Sequence, residues 1–248
     1  MVFSFYYTSK IATLVLNKNP LMITINKEAE NYNIASVNAI IDGNYITPGI
    51  NGLYVNAKDS YYKMQEGEEF NKYYLVFDEL SPDISIKNHK DKIIKNGNQK
   101  LKKVSIVLEY NPEIIKYLKN NKIEASLIST LNIYEKNSFL EHLNGELTNF
   151  KAFENTLNLN KENKGICLIN SYNKDICLKN KNYLVEPTLT LNNNNLREVK
   201  KGIDKGVIIY VKSNTPLSDF KLLLKEIAYK DLKIVYLSKL IAEDNERY

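Results

Sequence analysis

The chain contains no tryptophan, and its 248 residues include only two histidines and two cysteines. Each scarcity narrows the chemistry. Histidine is the commonest ligand of a catalytic zinc and the usual proton carrier near neutral pH, so His89 and His142, far apart in sequence, offer little from which to build a histidine-rich metal centre. His142 lies beside Leu140 and Leu143 in a stretch that reads as an amphipathic helix, and His89 lies in a polar loop. Both are read as surface or partly satisfied side chains, not ligands. Cys167 and Cys177 have no neighbouring pair of histidines, which argues against a zinc knuckle and leaves buried thiols or one disulfide open. Arginine occurs only at Arg197 and Arg247 while asparagine is abundant, the signature of an AT-rich coding sequence and not of a physical adaptation. A net charge of +5 is too diffuse to argue for nucleic acid. The longest basic cluster, NQKLKK at 98–103, reads as a solvated link.

A long uninterrupted apolar run is also missing. The opening MVFSFYYTSKIATLVLNKNP is apolar and aromatic, but Lys10 breaks it and it falls short of the roughly 20 residues a spanning helix needs. It has neither the basic start nor the small-residue cleavage site of a signal peptide. Tyr6 and Tyr7 followed by a lysine resemble the interfacial end of a membrane helix. The expectation is that Met1 falls inside an N-terminal membrane anchor; the alternative reading is a short helix packed on the core.

Hydrophobic residues at 44% and charged residues at 25% are ordinary globular values, and the length suffices for a sizeable core. Over residues 1–103 the pattern is mixed. A helical rhythm from about 8 to 30 breaks at Pro20, and Asp42-Gly43 between apolar runs signals a hairpin turn. AKDSYYKMQEG then reads as a polar helix and YYLVFDEL as a strand. From Lys103 onward strands and helices alternate. VSIVLEY is followed by PEIIKYLKNN, whose Pro112 suits the first turn of a helix because its missing donor would go unused there. IEASLIST reads as a strand, and EKNSFLEHL and FKAFENTL as helices. GICLIN, NYLVEP and GVIIYV are short apolar strands. PLSDFKLLLKEIAY carries Leu217, Phe220, Leu223, Leu224 and Ile227 on one helical face. KIVYL is a last strand, and Ser238 is read as the cap of KLIAEDNE. Repeated βα units imply a parallel sheet or barrel.

Several of these segments, in order, resemble the polysaccharide deacetylases, the NodB-homology carbohydrate esterases. VSIVLEYNP is similar to the family's first strand, which ends in T-F-D-D-G-P, and IIKYLKNNKIEASLI to the helix and strand that follow. GELTNFKAFE falls where the family has H-E-I-G-N-H-[ST]-x-x-H. GVIIYVK falls on a strand that ends in histidine, and YKDLKIVYLSKLI resembles the closing unit. ITPGINGLYVN and the following SYYKM resemble the region before this domain in membrane-anchored members from low-GC Gram-positive bacteria. The implied fold class is α/β, a distorted, shortened (β/α) barrel over 104–248 preceded by a small α+β segment over 1–103.

The resemblance implies a divalent metal held by one carboxylate and two imidazoles, with a second carboxylate as base and a distant histidine as acid. At those positions stand other residues. Glu109 occupies the place of the base, and Tyr110 that of the metal-binding aspartate. Phe150 and Glu154 replace the two histidines, and Lys212 replaces the last one. Phenylalanine ligates nothing and a neutral phenol is a poor substitute for a carboxylate, so no metal, no cofactor and no catalytic residue is expected. Lys212 with Glu109 or Glu154 would form an ion pair in place of the metal's charge; the alternative is that these side chains are solvated rim residues. The expected function is that of a catalytically inactive, membrane-anchored protein on the extracytoplasmic face of the cell envelope, binding cell-wall glycan or an envelope protein through some of its 18 tyrosines. The rival readings are an active metal-dependent N-deacetylase with displaced ligands and a purely structural interaction module. Nucleic acid is not an expected partner.

Overall fold

The structure, a computed structural model, describes residues 14–128, 139–143, 165–170 and 173–245. In chain order its elements begin with α1 (Pro20–Ala29), the hairpin β1 (Ile40–Asp42) and β2 (Tyr45–Thr47), β3 (Gly52–Val55), α2 (Ala57–Met64), β4 (Phe77–Leu80) and β5 (Ile93–Ile94). The alternating part follows with β6 (Lys103–Leu108), α3 (Pro112–Asn121), β7 (Ala125–Ile128), β8 (Leu140–Leu143), β9 (Ile166–Leu168), α4 (Lys174–Lys179) and β10 (Tyr183–Val185). It closes with β11 (Leu189–Leu191), α5 (Leu196–Gly202), β12 (Ile208–Val211), α6 (Leu217–Tyr229), β13 (Lys233–Val235) and α7 (Leu237–Ile241).

These elements form two compact units. The smaller comprises the described residues of 1–37, 50–82 and 244–248. In it α1 begins at Pro20, and the Asn19 side chain accepts the Leu21 N–H, meeting one of the donors a helix start leaves open. Helices α1 and α2 pack together over Leu21, Ile25, Met64 and Leu75. Strands β3 and β4 pair antiparallel.

The larger unit, 38–49 and 83–243, contains both larger sheets. The sequence boundary at Lys103 falls inside it, because β2 pairs parallel with β5, and β5 with β10. One sheet runs β1-β2-β5-β10-β9; the other runs β11-β12-β6-β7-β8, with β13 also pairing β6. Within these two sheets every described strand pairing except that of β1 with β2 is parallel. Thr188 stitches the sheets together: its hydroxyl donates to Lys95 O at 2.6 Å and accepts the Ile208 N–H at 3.1 Å. At the neighbouring bridge Asn96↔Val207, Gly97 N–H donates to Gly206 O at 2.7 Å. Only glycine fits at 206, where φ is +79° and a Cβ would meet Gly97 O at 2.5 Å.

Side-chain alternation sorts the strands into an inner and an outer layer. Val107, Ile128, Leu143, Ile166, Leu168, Val185, Ile208 and Tyr210 join Ile46 and Ile94 in one interior cluster drawn from both sheets. Val104, Ile106, Leu108, Leu127, Ile209 and Val211 face outward against Ile114, Leu118, Phe220, Leu223 and Ile227 of α3 and α6. Because β6 is buried on both faces, its sequence reads as a continuous apolar run. Outside the wall, Cys167 of β9 and Cys177 of α4 are joined in a buried disulfide, which settles the alternative left open above.

Several local expectations differ from the structure. Residues 140–143 form strand β8 and not the end of a helix, placing His142 on a strand beside Leu127. The hairpin loop is Gly43-Asn44, since Asp42 pairs with Tyr45, and the positive φ falls on Gly43 alone. Tyr236, not Ser238, is the N-cap of α7. Of YYLVFDEL only residues 77–80 are strand; Lys72–Tyr74 form a 3-10 turn. Strand β11 and helices α4 and α5 were not anticipated. The expected helix around FKAFENTL and the residues of the expected anchor before position 14 lie outside the described residues. Among the described residues no helix is long and apolar enough to cross a membrane.

Candidate functional site

Strands β6 and β12 are parallel neighbours in register Val107↔Tyr210 and Leu108↔Val211. Their carboxyl ends therefore lie level, and the backbone confirms it: Glu109 N–H donates to Val211 O at 2.9 Å. Period-two alternation puts Ser105, Val107 and Glu109 on the inner side of β6, and Ile208, Tyr210 and Lys212 on the inner side of β12. Glu109 and Lys212 thus face each other where the barrel wall ends.

Three donors converge on the Glu109 carboxylate. Tyr210 Oη donates to Oε1 at 2.6 Å, Lys212 Nζ donates to Oε1 at 3.0 Å, and the Ser213 N–H donates to Oε2 at 2.6 Å. Lys212 Nζ also sits 4.5 Å from the centre of the Tyr210 ring, so the ammonium is held by a carboxylate and an aromatic face together. The side chains of Lys212 and Glu109 are 35% and 27% exposed, intermediate between rim and core. Partial burial on its own would push the Glu109 carboxyl up; the hydrogen bonds from Tyr210, the Ser213 N–H and Lys212 outweigh it and hold the group below the ordinary glutamate range.

The loops keep these donors aimed. Asn111 caps α3 by accepting the Ile114 N–H at 3.2 Å while its amide donates to Ser213 O at 2.9 Å and Thr215 O at 3.2 Å. One side chain therefore starts the helix after β6 and fastens the loop after β12. Thr215 adds a hydroxyl bond to Leu191 O at 3.2 Å, and the Lys212 N–H donates to the same carbonyl at 2.9 Å.

Deeper in the barrel a second carboxylate, Glu141 on β8, is only 7% exposed. Its Oε2 accepts from the Ser126 hydroxyl at 2.8 Å and from the Ser238 N–H at 3.1 Å, so it anchors the first turn of α7. Its Oε1 is buried with no partner among the described residues.

Of the residues singled out from the sequence, the structure brings Glu109 and Lys212 together. Tyr110 follows Glu109 beyond the end of β6 and is 37% exposed. Phe150 and Glu154 lie outside the described residues. His89 is half-buried with Nδ1 2.9 Å from Ser85 O, a satisfied loop histidine. Tyr210, Asn111 and Glu141 escaped the sequence reading. For Tyr210 the signal was present: in GVIIYVK the alternation that turns Lys212 inward turns Tyr210 inward with it.

A divalent metal does not fit the described part of this site. Both oxygens of Glu109 are taken by donors, one of them a cation at 3.0 Å, and Tyr110 supplies only a phenol at the neighbouring position. No group of three or more histidine, cysteine, aspartate or glutamate side chains able to hold a metal occurs among the described residues.

Across 91% of its length the chain superposes on a CE4 family pseudoenzyme from Bacillus anthracis, covering 96% of that chain, with a TM-score of 0.57 and 19% sequence identity. A mutant of that pseudoenzyme with restored enzymatic activity matches 91% of this chain and 99% of its own at a TM-score of 0.57 and 18% identity. A further mutant gives 0.59 at 18% identity, over 91% and 98% of the two chains. What is shared is the fold, the distorted (β/α) barrel of the CE4 polysaccharide deacetylases. In sequence the chain is 27% identical over 121 residues to YlxY, an uncharacterized protein of Bacillus subtilis strain 168; that stretch is 46% of this chain and 38% of the relative. No protein-family model matches the chain.

Proposed function

We propose that the chain is a catalytically inactive polysaccharide deacetylase-like protein that acts in the cell envelope by binding glycan. The observation that carries the reading is the convergence of Tyr210, Lys212 and the Ser213 N–H on Glu109. A general base works best with a pKa near the operating pH and a free lone pair aimed at the proton it takes. Glu109 has been moved the other way: its acidity is increased and three donors engage its roughly four acceptor directions. The Lys212 ammonium supplies positive charge where an active deacetylase has its metal, but as part of an ion pair with Glu109 and without a metal's power to lower the pKa of a bound water.

The fold shared with a pseudoenzyme supports the same reading. The buried Cys167–Cys177 bond supports an extracytoplasmic location, because such bonds persist where the surroundings are oxidising. An anchor ahead of the described residues completes the proposal, tethering the protein to the membrane.

The test is direct. The full chain, purified and incubated with zinc and N-acetylglucosamine oligomers, is expected to release no acetate above a protein-free control and to retain no stoichiometric metal after dialysis. Acetate release that tracks bound metal would overturn the reading in favour of an active enzyme.

A further inference from the structure

Eighteen tyrosines invite the question of which faces a ligand can reach. In the larger unit five of the described tyrosines have a face occupied by one of the protein's own lysines, while Tyr110 at the end of β6 and Tyr229 at the end of α6 are exposed. Lys90 lies 4.4 Å from the ring centre of Tyr183, Lys95 5.0 Å from Tyr45, Lys221 5.0 Å from Tyr117, Lys239 5.0 Å from Tyr236, and Lys212 covers Tyr210. An ammonium over a ring takes the electron-rich face that would otherwise receive the C–H face of a sugar. Partial burial, and after it the nearby carboxylates, push the Tyr183 and Tyr236 phenols above the ordinary tyrosine range.

The smaller unit differs. Between the end of α2 and the 3-10 turn at Lys72–Tyr74 it has an open cleft of about 700 Å³, within the usual size range of small-ligand sites. Its aromatic wall is Tyr32, Phe70 and Tyr74. The Tyr32 and Phe70 rings stand 6.3 Å apart, tilted by 38°, and rest on the unit's core, so they are rigid; Tyr74 is 51% exposed at the lip. Among the described residues of this unit only the neighbouring Tyr73 carries a lysine, Lys72, at 5.2 Å.

The charges narrow the occupant. Lys63 and Lys72 are balanced by Glu66 and Glu69 around the same opening, so a polyanion such as a nucleic acid or an acidic lipid surface gains no net attraction. Asn71 accepts the Tyr73 N–H at 3.0 Å through Oδ1, which orients its amide group as a donor. Rigid aromatic faces, an amide and side chains of both signs suit a ligand with apolar ring faces and a neutral fringe of hydroxyls and amides.

We infer that the cleft of the smaller unit, bounded by Tyr32, Phe70 and Tyr74, is an oligosaccharide-binding site for uncharged hexopyranose chains. The class of ligand rests on the glycan-binding reading above. The placement rests on the ring faces and charge balance alone. The glycan site then shares no residue with the strand ends where the deacetylase chemistry would lie.

Titration of the full chain with β-1,4-linked N-acetylglucosamine tetramer, followed by calorimetry and by tyrosine fluorescence, tests the placement. Tyr74→Ala is expected to weaken binding by about tenfold and Tyr74→Phe by less than about threefold, since the ring is what stacks. Glu69→Arg, an exposed change that crowds the same opening and unbalances its charge, is expected to weaken binding as well, and it keeps the test valid should Tyr74→Ala fail to fold. Binding that survives Tyr74→Ala and Glu69→Arg but falls with Tyr210→Phe would move the site to the barrel mouth, overturning this inference while leaving the proposed function standing. No saturable binding to the wild-type chain would overturn it together with the glycan part of that function. Acetate release, by contrast, would strike only the claim of catalytic silence.

Discussion

The strand-end site of the larger unit closes its polar groups on one another, and the cleft of the smaller unit leaves its ring faces open. At the strand ends of β6 and β12 a carboxylate, an ammonium, a phenol and a backbone donor satisfy one another. In the smaller unit exposed tyrosines and acids surround a cleft whose rings carry no such partners. The difference follows from size. The larger unit buries two apolar layers, inside and outside a parallel wall, and can hold an ion pair between its strands. Among the described residues the smaller unit's core cluster is Leu21, Ile25, Met64 and Leu75, with aromatic residues packed around it, too little to enclose its polar surface.

That contrast is broken most sharply by cavity mutations. Phe220 is fully buried between α6 and the outer face of the wall, so Phe220→Ala is expected to destabilise the larger unit by about 3–5 kcal/mol. Ile25, equally buried in the smaller core, should cost about 2–5 kcal/mol when truncated to Ala. Hydrogen exchange read residue by residue separates the two. Ile25→Ala should release protection around α1 and α2 while the amides of β6 stay protected; equal loss in both would mean that one cooperative core has been mistaken for two.

A smaller effect probes the closed site. Tyr210→Phe deletes one of three donors on Glu109 and should lower stability by about 1.5 kcal/mol at neutral pH, the low end for a hydrogen bond to a charged group because the carboxylate is partly solvated. The pH dependence has a definite sign. The Glu109 pKa is lower folded than unfolded, so its contribution is present above the unfolded value and is lost as pH falls through the folded one. The gap between wild-type and Tyr210→Phe melting temperatures should therefore narrow on acidification. A gap that widens toward acid would show that the phenol stabilises something other than the ionised carboxylate.

How much of this was legible beforehand depended on the length of the pattern. The β6–α3 and β12–α6 units were readable because each joins an apolar run to a helix with a full buried stripe, and Pro112 marks its own position as the start of α3. The pairing of Lys212 with Glu109 was readable because both stand at strand ends. Strand β8 was misread because Phe139, Leu140 and Leu143 fit a helical spacing as well as a strand, and only pairing with β7 decides. Strands of two or three residues such as β5 and β11 carry too little periodicity to announce themselves. Tyr210 was missed for a different reason: its role depends on β12 lying beside β6, and that adjacency spans about a hundred residues of chain.

The finest comparison sets two ion pairs of the larger unit side by side. Lys102 Nζ approaches Asp231 Oδ2 at 2.6 Å, shorter than the 3.0 Å of Lys212 to Glu109. Lys102 lowers the Asp231 pKa through its hydrogen bond and its charge, yet both side chains stand in solvent, 62% and 83% exposed. Water screens that attraction, and holding two long side chains in one geometry costs rotamer freedom, so exposed pairs add little despite close contact. Asp231→Asn should leave the melting temperature unchanged within error at moderate salt. Lys212→Met should lower it, because Glu109 keeps its partial burial when its cation is gone. If the two substitutions cost the same, contact distance and not enclosure would govern these pairs, and the distinction between closed and open polar groups would lose its physical basis.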